Sequence, residues 1–241
     1  MAAAILHPED VHPSLWRASQ LARGSQRTVD TGYAALSAEL PGGGWPLGTL
    51  VDLLVSQPGV GEIRLLQPAL AAVAAVGGRR LRPIALVAPP HVPNAPAFAY
   101  LRLPPEGLLH VRAPRTADAL WSVEQILRAG TCAALLFWAQ QTPAASLRRL
   151  HLAAQSAETL FVMVRPLSVA QDASPAPLRL AVRPAQDGIS IDIVKRRGPT
   201  RAEPLSIPLQ PSPVLFSRHA RISRRQIAPA RAGSFPAELV A

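Results

Sequence analysis

Leu50-Val51-Asp52-Leu53-Leu54-Val55-Ser56-Gln57-Pro58-Gly59-Val60-Gly61-Glu62-Ile63 is the stretch on which the fold turns. An apolar run of strand length ends at Val55, a turn carrying Pro58, Gly59 and Gly61 follows, and a segment of helical period opens at Glu62. A glycine-bearing turn between a first strand and a helix start is where an α/β protein cradles phosphates on backbone N–H groups. Against the phosphate-loop pattern G-x-x-x-x-G-K-[ST], Ser56 replaces the first glycine and Gly61 keeps the second, while Glu62 stands for the lysine and Ile63 for the hydroxyl residue. A carboxylate in place of the ammonium repels the β- and γ-phosphates, and isoleucine cannot ligate magnesium. The segment therefore reads as a structural turn, with no cofactor expected on Ser56, Gly59, Gly61, Glu62 and Ile63.

Outward from this loop, strand-length apolar runs alternate with helical segments, the pattern of crossover α/β units. Strands are expected at Leu50 to Val55, Pro83 to Ala88, Gly107 to Arg112, Cys132 to Trp138 and Thr159 to Val164. Helices are expected at Glu62 to Val76, Ala95 to Leu101, Thr116 to Ala129 and Ala144 to Ser156. In the third of these, Leu120, Val123, Ile126 and Leu127 share a face, Thr116 is placed to cap the start and Gly130 to end the helix. Pro68 falls inside the first, where it is expected to kink or delay it. Two alternating segments, Leu178 to Arg183 and Ile189 to Val194, join through Gln186-Asp187-Gly188 as a C-terminal β-hairpin.

Upstream, Leu40-Pro41-Gly42-Gly43-Gly44-Trp45-Pro46-Leu47-Gly48 reads as an irregular connector, with the core starting at Thr49. Leu15 to Arg23 reads as a short amphipathic helix outside that core. Beyond Pro211 the chain has five arginines, Arg218, Arg221, Arg224, Arg225 and Arg231, against one acid, Glu238, which reads as a basic, disordered tail. The expected organisation is a helical segment at 1–30, a mostly parallel sheet flanked by helices at 31–210, and the tail at 211–241.

Composition narrows the function classes. The 241 residues are 49% hydrophobic and 17% charged, enough to bury a core without staples. One cysteine, Cys132, excludes an intrachain disulfide and a cysteine metal cluster, and its strand context predicts an inert core thiol. No run of eighteen apolar residues occurs, and Met1 to Asp10 lacks the signal-peptide pattern, so a cytoplasmic protein without membrane contact is expected. The six histidines lack metal-ligand spacing, and no serine sits in a G-x-S-x-G context. The net charge of +10 is almost wholly arginine; Lys195, in Lys195-Arg196-Arg197-Gly198, is the single lysine. The arginines of the tail suit nonspecific phosphate contact or an acidic protein surface, without any sequence-reading motif. Trp16 and Trp45 lie on elements outside the expected sheet, where burial against the core competes with a place at a partner surface.

Thr31-Gly32-Tyr33-Ala34-Ala35-Leu36, the Leu40–Gly48 connector, the degenerate loop, Ala88-Pro89-Pro90-His91, Asp118-Ala119-Leu120-Trp121 and Ile193-Val194-Lys195-Arg196-Arg197-Gly198 together resemble the ImuA family of translesion-synthesis accessory proteins. The resemblance covers residues 12–208. It implies a RecA-like fold grouped with SulA-like proteins, and it allows a test against ATP hydrolysis. RecA-type ATPases place a glutamate before the histidine after the second strand, where Pro90 stands, and an aspartate at the end of a later strand, where Trp138 stands. With the lysine and hydroxyl also replaced, no ATPase activity is expected, since phosphoryl transfer rests on charge stabilisation and positioning.

The resemblance further implies an adaptor in SOS-induced mutagenic DNA repair, nucleoid-associated when engaged. Its partners would be an ImuB-type inactive Y-family polymerase homologue, an error-prone replicative-type DNA polymerase and RecA. Trp16, Lys195, Arg196, Arg197, Arg218, Arg221, Arg224 and Arg225 are the candidate partner or DNA contacts. Two other readings stay open: a DNA-stimulated ATPase in which Lys195 or an arginine supplies the missing charge, and a SulA-like inhibitor of cell division.

Overall fold

The computed structural model describes residues 27–75, 82–198 and 201–209, which fall within one compact unit ending at Leu209. The expected helix at Leu15–Arg23, with Trp16, and the expected tail at 211–241 lie outside the described residues.

Ten strands and five α-helices are described. The strands are β1 (Thr28–Asp30), β2 (Gly44–Pro46), β3 (Thr49–Val55), β4 (Ile84–Val87), β5 (Leu108–Val111), β6 (Ala134–Trp138), β7 (Leu160–Pro166), β8 (Leu178–Ala185), β9 (Gly188–Lys195) and β10 (Leu205–Pro208). The helices are α1 (Ala34–Glu39), α2 (Glu62–Ala75), α3 (Ala95–Tyr100), α4 (Thr116–Ala129) and α5 (Ala144–Ala154). Eight strands form one sheet in the order β10-β9-β8-β3-β7-β6-β4-β5. From β8 to β5 every neighbouring pair is parallel, and β9 runs antiparallel to both β8 and β10.

The central strand β3 is buried along its whole length because both sheet faces are covered. Val51, Leu53 and Val55 join one apolar cluster with Leu65, Leu66 and Leu70 of α2 and Phe98 of α3. On the other face Leu50 joins a cluster with Val123 and Leu127 of α4 and Leu147 and Leu150 of α5. The connections after β3 and β4 thus cover one face and those after β5 and β6 the other, because right-handed crossovers change face when the chain reverses its progress across the sheet.

Four local expectations are corrected. Pro68 neither delays nor ends α2, which runs unbroken from Glu62 to Ala75. Pro68 has no N–H to return to the Arg64 carbonyl, and the Tyr33 hydroxyl donates to that carbonyl instead, at 3.1 Å. Gly32, at φ +81°, lets the chain pass against the proline ring: a Cβ there would stand 2.3 Å from Pro68 Cβ. The connector is not irregular throughout, since Gly44–Pro46 pairs antiparallel with Thr28–Asp30 and a 3-10 turn covers Pro41–Gly43. Glycine at 44 makes that pairing possible, because a Cβ would meet the Val29 carbonyl oxygen at 2.2 Å. The core also starts before Thr49, with Leu36, Leu40 and a wholly buried Trp45 in the α2-side cluster. Finally, Thr116 is the first residue of α4 and Arg115 precedes it without a side-chain cap, whereas Gly130 does end the helix in the left-handed conformation, at φ +64°.

Candidate functional site

The loop between β3 and α2 is tied to the sheet by the Ser56 N–H, which donates to the Val182 carbonyl at 3.3 Å. Gly59 and Gly61 take φ values of +85° and +126°, turning their N–H groups inward. At Gly61 packing adds to the restriction, since a Cβ would lie 2.9 Å from Leu209 Cδ1 and 3.3 Å from Ile189 Cγ2. A run of inward N–H groups at a helix start is an anion nest.

Its occupant is the chain itself. Glu62 is 3% exposed, and its carboxylate accepts the Gly59 N–H at 2.9 and 3.1 Å and the Gly61 N–H at 3.2 Å. The Leu65 N–H meanwhile donates to the Gly61 carbonyl at 2.9 Å, closing the first turn of the helix. Sequence reasoning assigned Glu62 a repulsive role; the geometry gives it a constructive one as well, because the carboxylate satisfies the donors that a phosphate would otherwise take. At the positive end of the α2 dipole its charge is also favourably placed.

Beside the loop, at the carboxyl ends of β3, β4, β6 and β7, lies a cavity of about 330 Å³. Ser56, Gln57 and Pro58 form one wall, Ala88 and Pro90 another, and Trp138, Gln140 and Arg165 the remainder. Crevices at the carboxyl ends of parallel strands are the usual ligand position in open α/β sheets. Pro90 and Trp138, the two positions matched to catalytic acids, both reach this cavity, and neither carries an acid.

Beneath the cavity floor runs a charged cluster that the sequence reading did not single out. Asp52, wholly buried on β3, faces Arg165 of β7 and Arg179 of β8, which are 2% and 5% exposed. Its Oδ2 accepts from Ser174 Oγ at 2.7 Å, Arg179 Nε at 3.1 Å and Arg165 Nη1 at 3.4 Å. Arg179 is further held by the carbonyls of Val169, Ala170 and Asp172. Asp52 inside Leu50–Val55, Arg165 directly after Phe161–Val164 and Arg179 inside Leu178–Val182 were the available signal, since a charge in a buried strand must find a partner.

The basic run at the end of β9 is not brought to the loop. Ile189, near the start of β9, packs beside Gly61, and Lys195 ends the same eight-residue strand, about 20 Å further along at strand rise. Lys195 Nζ donates to the Ser174 carbonyl at 3.0 Å, Arg196 binds the Glu39 carboxylate at 2.8 Å together with its backbone carbonyl, and Arg197 is exposed. Lys195 therefore does not stand where a phosphate-binding lysine would. On the same side of the sheet His151 of α5 lies half-buried, with Leu50 N and Thr49 Oγ1 at 3.5 and 3.4 Å from Nδ1. Burial, then Lys195 and Arg197, holds its pKa below the ordinary histidine value.

Of the tryptophans named from sequence, Trp45 is buried and Trp16 lies outside the described residues. Arg218, Arg221, Arg224 and Arg225 lie outside them too. Among the described residues the exposed tryptophan is Trp121 of α4, at 62%, with Leu152 of α5 exposed at 64%. Cys132 is buried, and burial raises its pKa. Among the described residues no group of three or more His, Cys, Asp or Glu could hold a metal ion, and no helix is long and apolar enough to cross a membrane. No protein-family model matches the chain, and no curated protein matches it significantly.

Proposed function

We propose that this chain is a RecA-like accessory protein that has given up nucleotide chemistry and works as an adaptor in damage-induced, error-prone translesion DNA synthesis. One observation carries the reading: the Glu62 carboxylate takes the N–H groups of Gly59 and Gly61, so the phosphate position of the loop is filled by the protein. The mostly parallel sheet with this loop between β3 and α2 supports the RecA-like assignment, and the acid-free positions Pro90 and Trp138 support the loss of hydrolysis. Function then resides in surfaces. Trp121, exposed on α4, is the residue chosen as partner anchor, because tryptophan loses most free energy by standing in water and gains most at an interface. The partners in this reading are an ImuB-type inactive polymerase homologue, an error-prone replicative-type polymerase and RecA, with nonspecific DNA met by the arginines after Pro211.

Two measurements on the full chain test it. Gel filtration with the ImuB-type partner at micromolar concentration is expected to give a complex that Trp121→Ala weakens; no complex with any of the polymerase partners overturns the adaptor role. Titration with a fluorescent ATP analogue is expected to give no saturable binding. ATP turnover stimulated by single-stranded DNA in pure protein overturns the loss of nucleotide chemistry.

A further inference from the structure

Helices α4 and α5 lie side by side and run in the same direction, since each leads from one parallel strand of the sheet into another. Arg149 of α5 bonds the Glu124 carboxylate of α4 at 2.8 Å, and Arg128, one turn further along α4, bonds its other oxygen at 2.8 Å. The carboxylate lies beneath while both guanidiniums stand largely in water, so the seam between the helices presents positive charge outward. Arg148 is exposed beside it and makes no ion pair with a described residue. Residues 115–154 together carry four arginines against two acids, Asp118 and Glu124.

An exposed apolar side chain stands on either side of the bridge. Trp121 precedes Glu124 by one turn of α4, and Leu152 follows Arg149 by one turn of α5. At helix rise and the usual spacing of packed helices the two are about 13 Å apart. Two turns of a third helix span about 11 Å, so one helix laid obliquely over the seam reaches both, with its flanks above the arginines.

Charge decides the occupant. The helix expected at Leu15–Arg23 carries Arg17 and Arg23 and no acid, and the stretch beyond Pro211 has five arginines against one acid, so neither end of this chain suits the seam. A second copy seated on the same face would set these arginines against themselves. We infer that the α4–α5 face receives an acidic amphipathic helix of a partner protein, its apolar stripe on Trp121 and Leu152 and its carboxylates over Arg128, Arg148 and Arg149. The inference rests on the adaptor reading for the choice of Trp121 as anchor, and adds to it the chemistry of what is bound.

The test is fluorescence anisotropy of two labelled helical peptides titrated with the full chain. Both peptides carry one leucine stripe at helical spacing, flanked by glutamate in the first and by glutamine in the second. The glutamate peptide is expected to bind saturably, about tenfold or more tighter than its glutamine twin, and added salt is expected to weaken it alone. Trp121→Ala is expected to weaken it about tenfold. Arg148→Glu, at an exposed position outside the Glu124 bridge, is expected to bring it down to the affinity of the glutamine peptide; both variants are expected to keep the circular dichroism spectrum of the unaltered chain. Equal affinity for the two peptides, no saturation, or an undiminished preference in Arg148→Glu would each overturn the inference. So would undiminished binding in Trp121→Ala, which would assign the acidic peptide to the arginines beyond Pro211. Gel filtration with the polymerase-type partner decides the adaptor role separately: a complex that forms while this face shows no preference for glutamate leaves the adaptor standing and removes the acidic helix.

Discussion

Glu62 and Asp52 are both carboxylates withdrawn from water, ten positions apart along one strand-turn-helix unit, yet they are satisfied in opposite ways. Glu62 takes its hydrogen bonds from N–H groups one and three residues away. Asp52 takes its bonds from residues 113, 122 and 127 positions further along the chain. The first arrangement forms as soon as the loop turns. The second exists only once β7 and β8 have docked on either side of β3 and the segment after β7 has closed over them. It also ends less complete: Asp52 Oδ1 and Arg165 Nε keep no partner, while both Glu62 oxygens are used. Local wiring is saturated and cheap to form; long-range wiring is left with a surplus charge and two unpartnered polar atoms.

The sharpest way to break this contrast is to cut the long-range cluster. Arg179→Met removes the shorter of the two guanidinium bonds to Asp52 and takes a donor from three backbone carbonyls, so it is expected to lower stability in urea unfolding by about 4 kcal/mol, the scale of removing one partner of a buried ion pair. Replacing Asp52, Arg165 and Arg179 together by Leu, Met and Met is expected to recover much of that loss, since no buried charge is then left alone. A loss below about 1 kcal/mol for Arg179→Met would mean that the cluster is solvated rather than buried.

The local carboxylate stands lower. Glu62→Ala strips the acceptors from Gly59 and Gly61, but both glycines lie near enough to solvent for water to replace them, so the expected loss is about 1.5 kcal/mol, as for a helix cap. Glu62→Gln, which keeps one acceptor oxygen, is expected to fall between. If Glu62→Ala cost as much as Arg179→Met, the distinction between local and distant wiring would fail.

What the sequence made legible follows the same division. The strands and helices from Thr49 onward are set by runs of apolar residues and by glycines such as Gly130, and the altered loop chemistry is set by the identity of residues 56–63; all of this is local. The fit of Pro68 into α2 was not legible, because its remedy, the Tyr33 hydroxyl, comes from 31 residues before the Arg64 carbonyl that it bonds. Nor was the pairing of Asp52 with Arg165 and Arg179, since nothing in a strand's own sequence says which strands will flank it. The places of Trp45 and Trp121 were not legible for a similar reason: the short ladder with β1 folds Trp45 into the α2-side core, while Trp121 falls outside the apolar cluster that the buried face of α4 joins.

The Tyr33–Pro68 joint supplies a test intermediate between the two carboxylates, a local defect mended from a distance. Tyr33→Phe deletes one hydrogen bond to a backbone carbonyl and is expected to cost about 1 kcal/mol. In a Pro68→Ala background the restored N–H at position 68 returns to Arg64, so the same deletion is expected to cost about half as much or less, and the double-mutant cycle measures the coupling. Additive effects would show that the hydroxyl serves Arg64 no differently from any other surface bond.

Glu39 completes the comparison, being wired over as great a distance as Asp52 yet partly in water. Arg196 and Arg201 reach it from 157 and 162 residues away and, through their hydrogen bonds, hold its carboxyl below the ordinary value of 4.5. A carboxyl whose pKa is lower in the folded than in the unfolded chain contributes stability that is present above the unfolded value and is lost as the pH falls through the folded one. Acid unfolding below about pH 4.5 is therefore expected to be slightly less steep in Arg196→Ala, by under about 1 kcal/mol because water screens the pair. Asp30 gives an internal reference, since its carboxyl is held low chiefly by the Ser37 hydroxyl and has no arginine among its causes. In carboxyl-detected NMR titrations the Glu39 midpoint is expected to rise in Arg196→Ala while that of Asp30 stays in place. An unmoved Glu39 would show that Arg201 alone holds the carboxylate, and distance along the chain would then have no bearing on how strongly a wet carboxylate is bound.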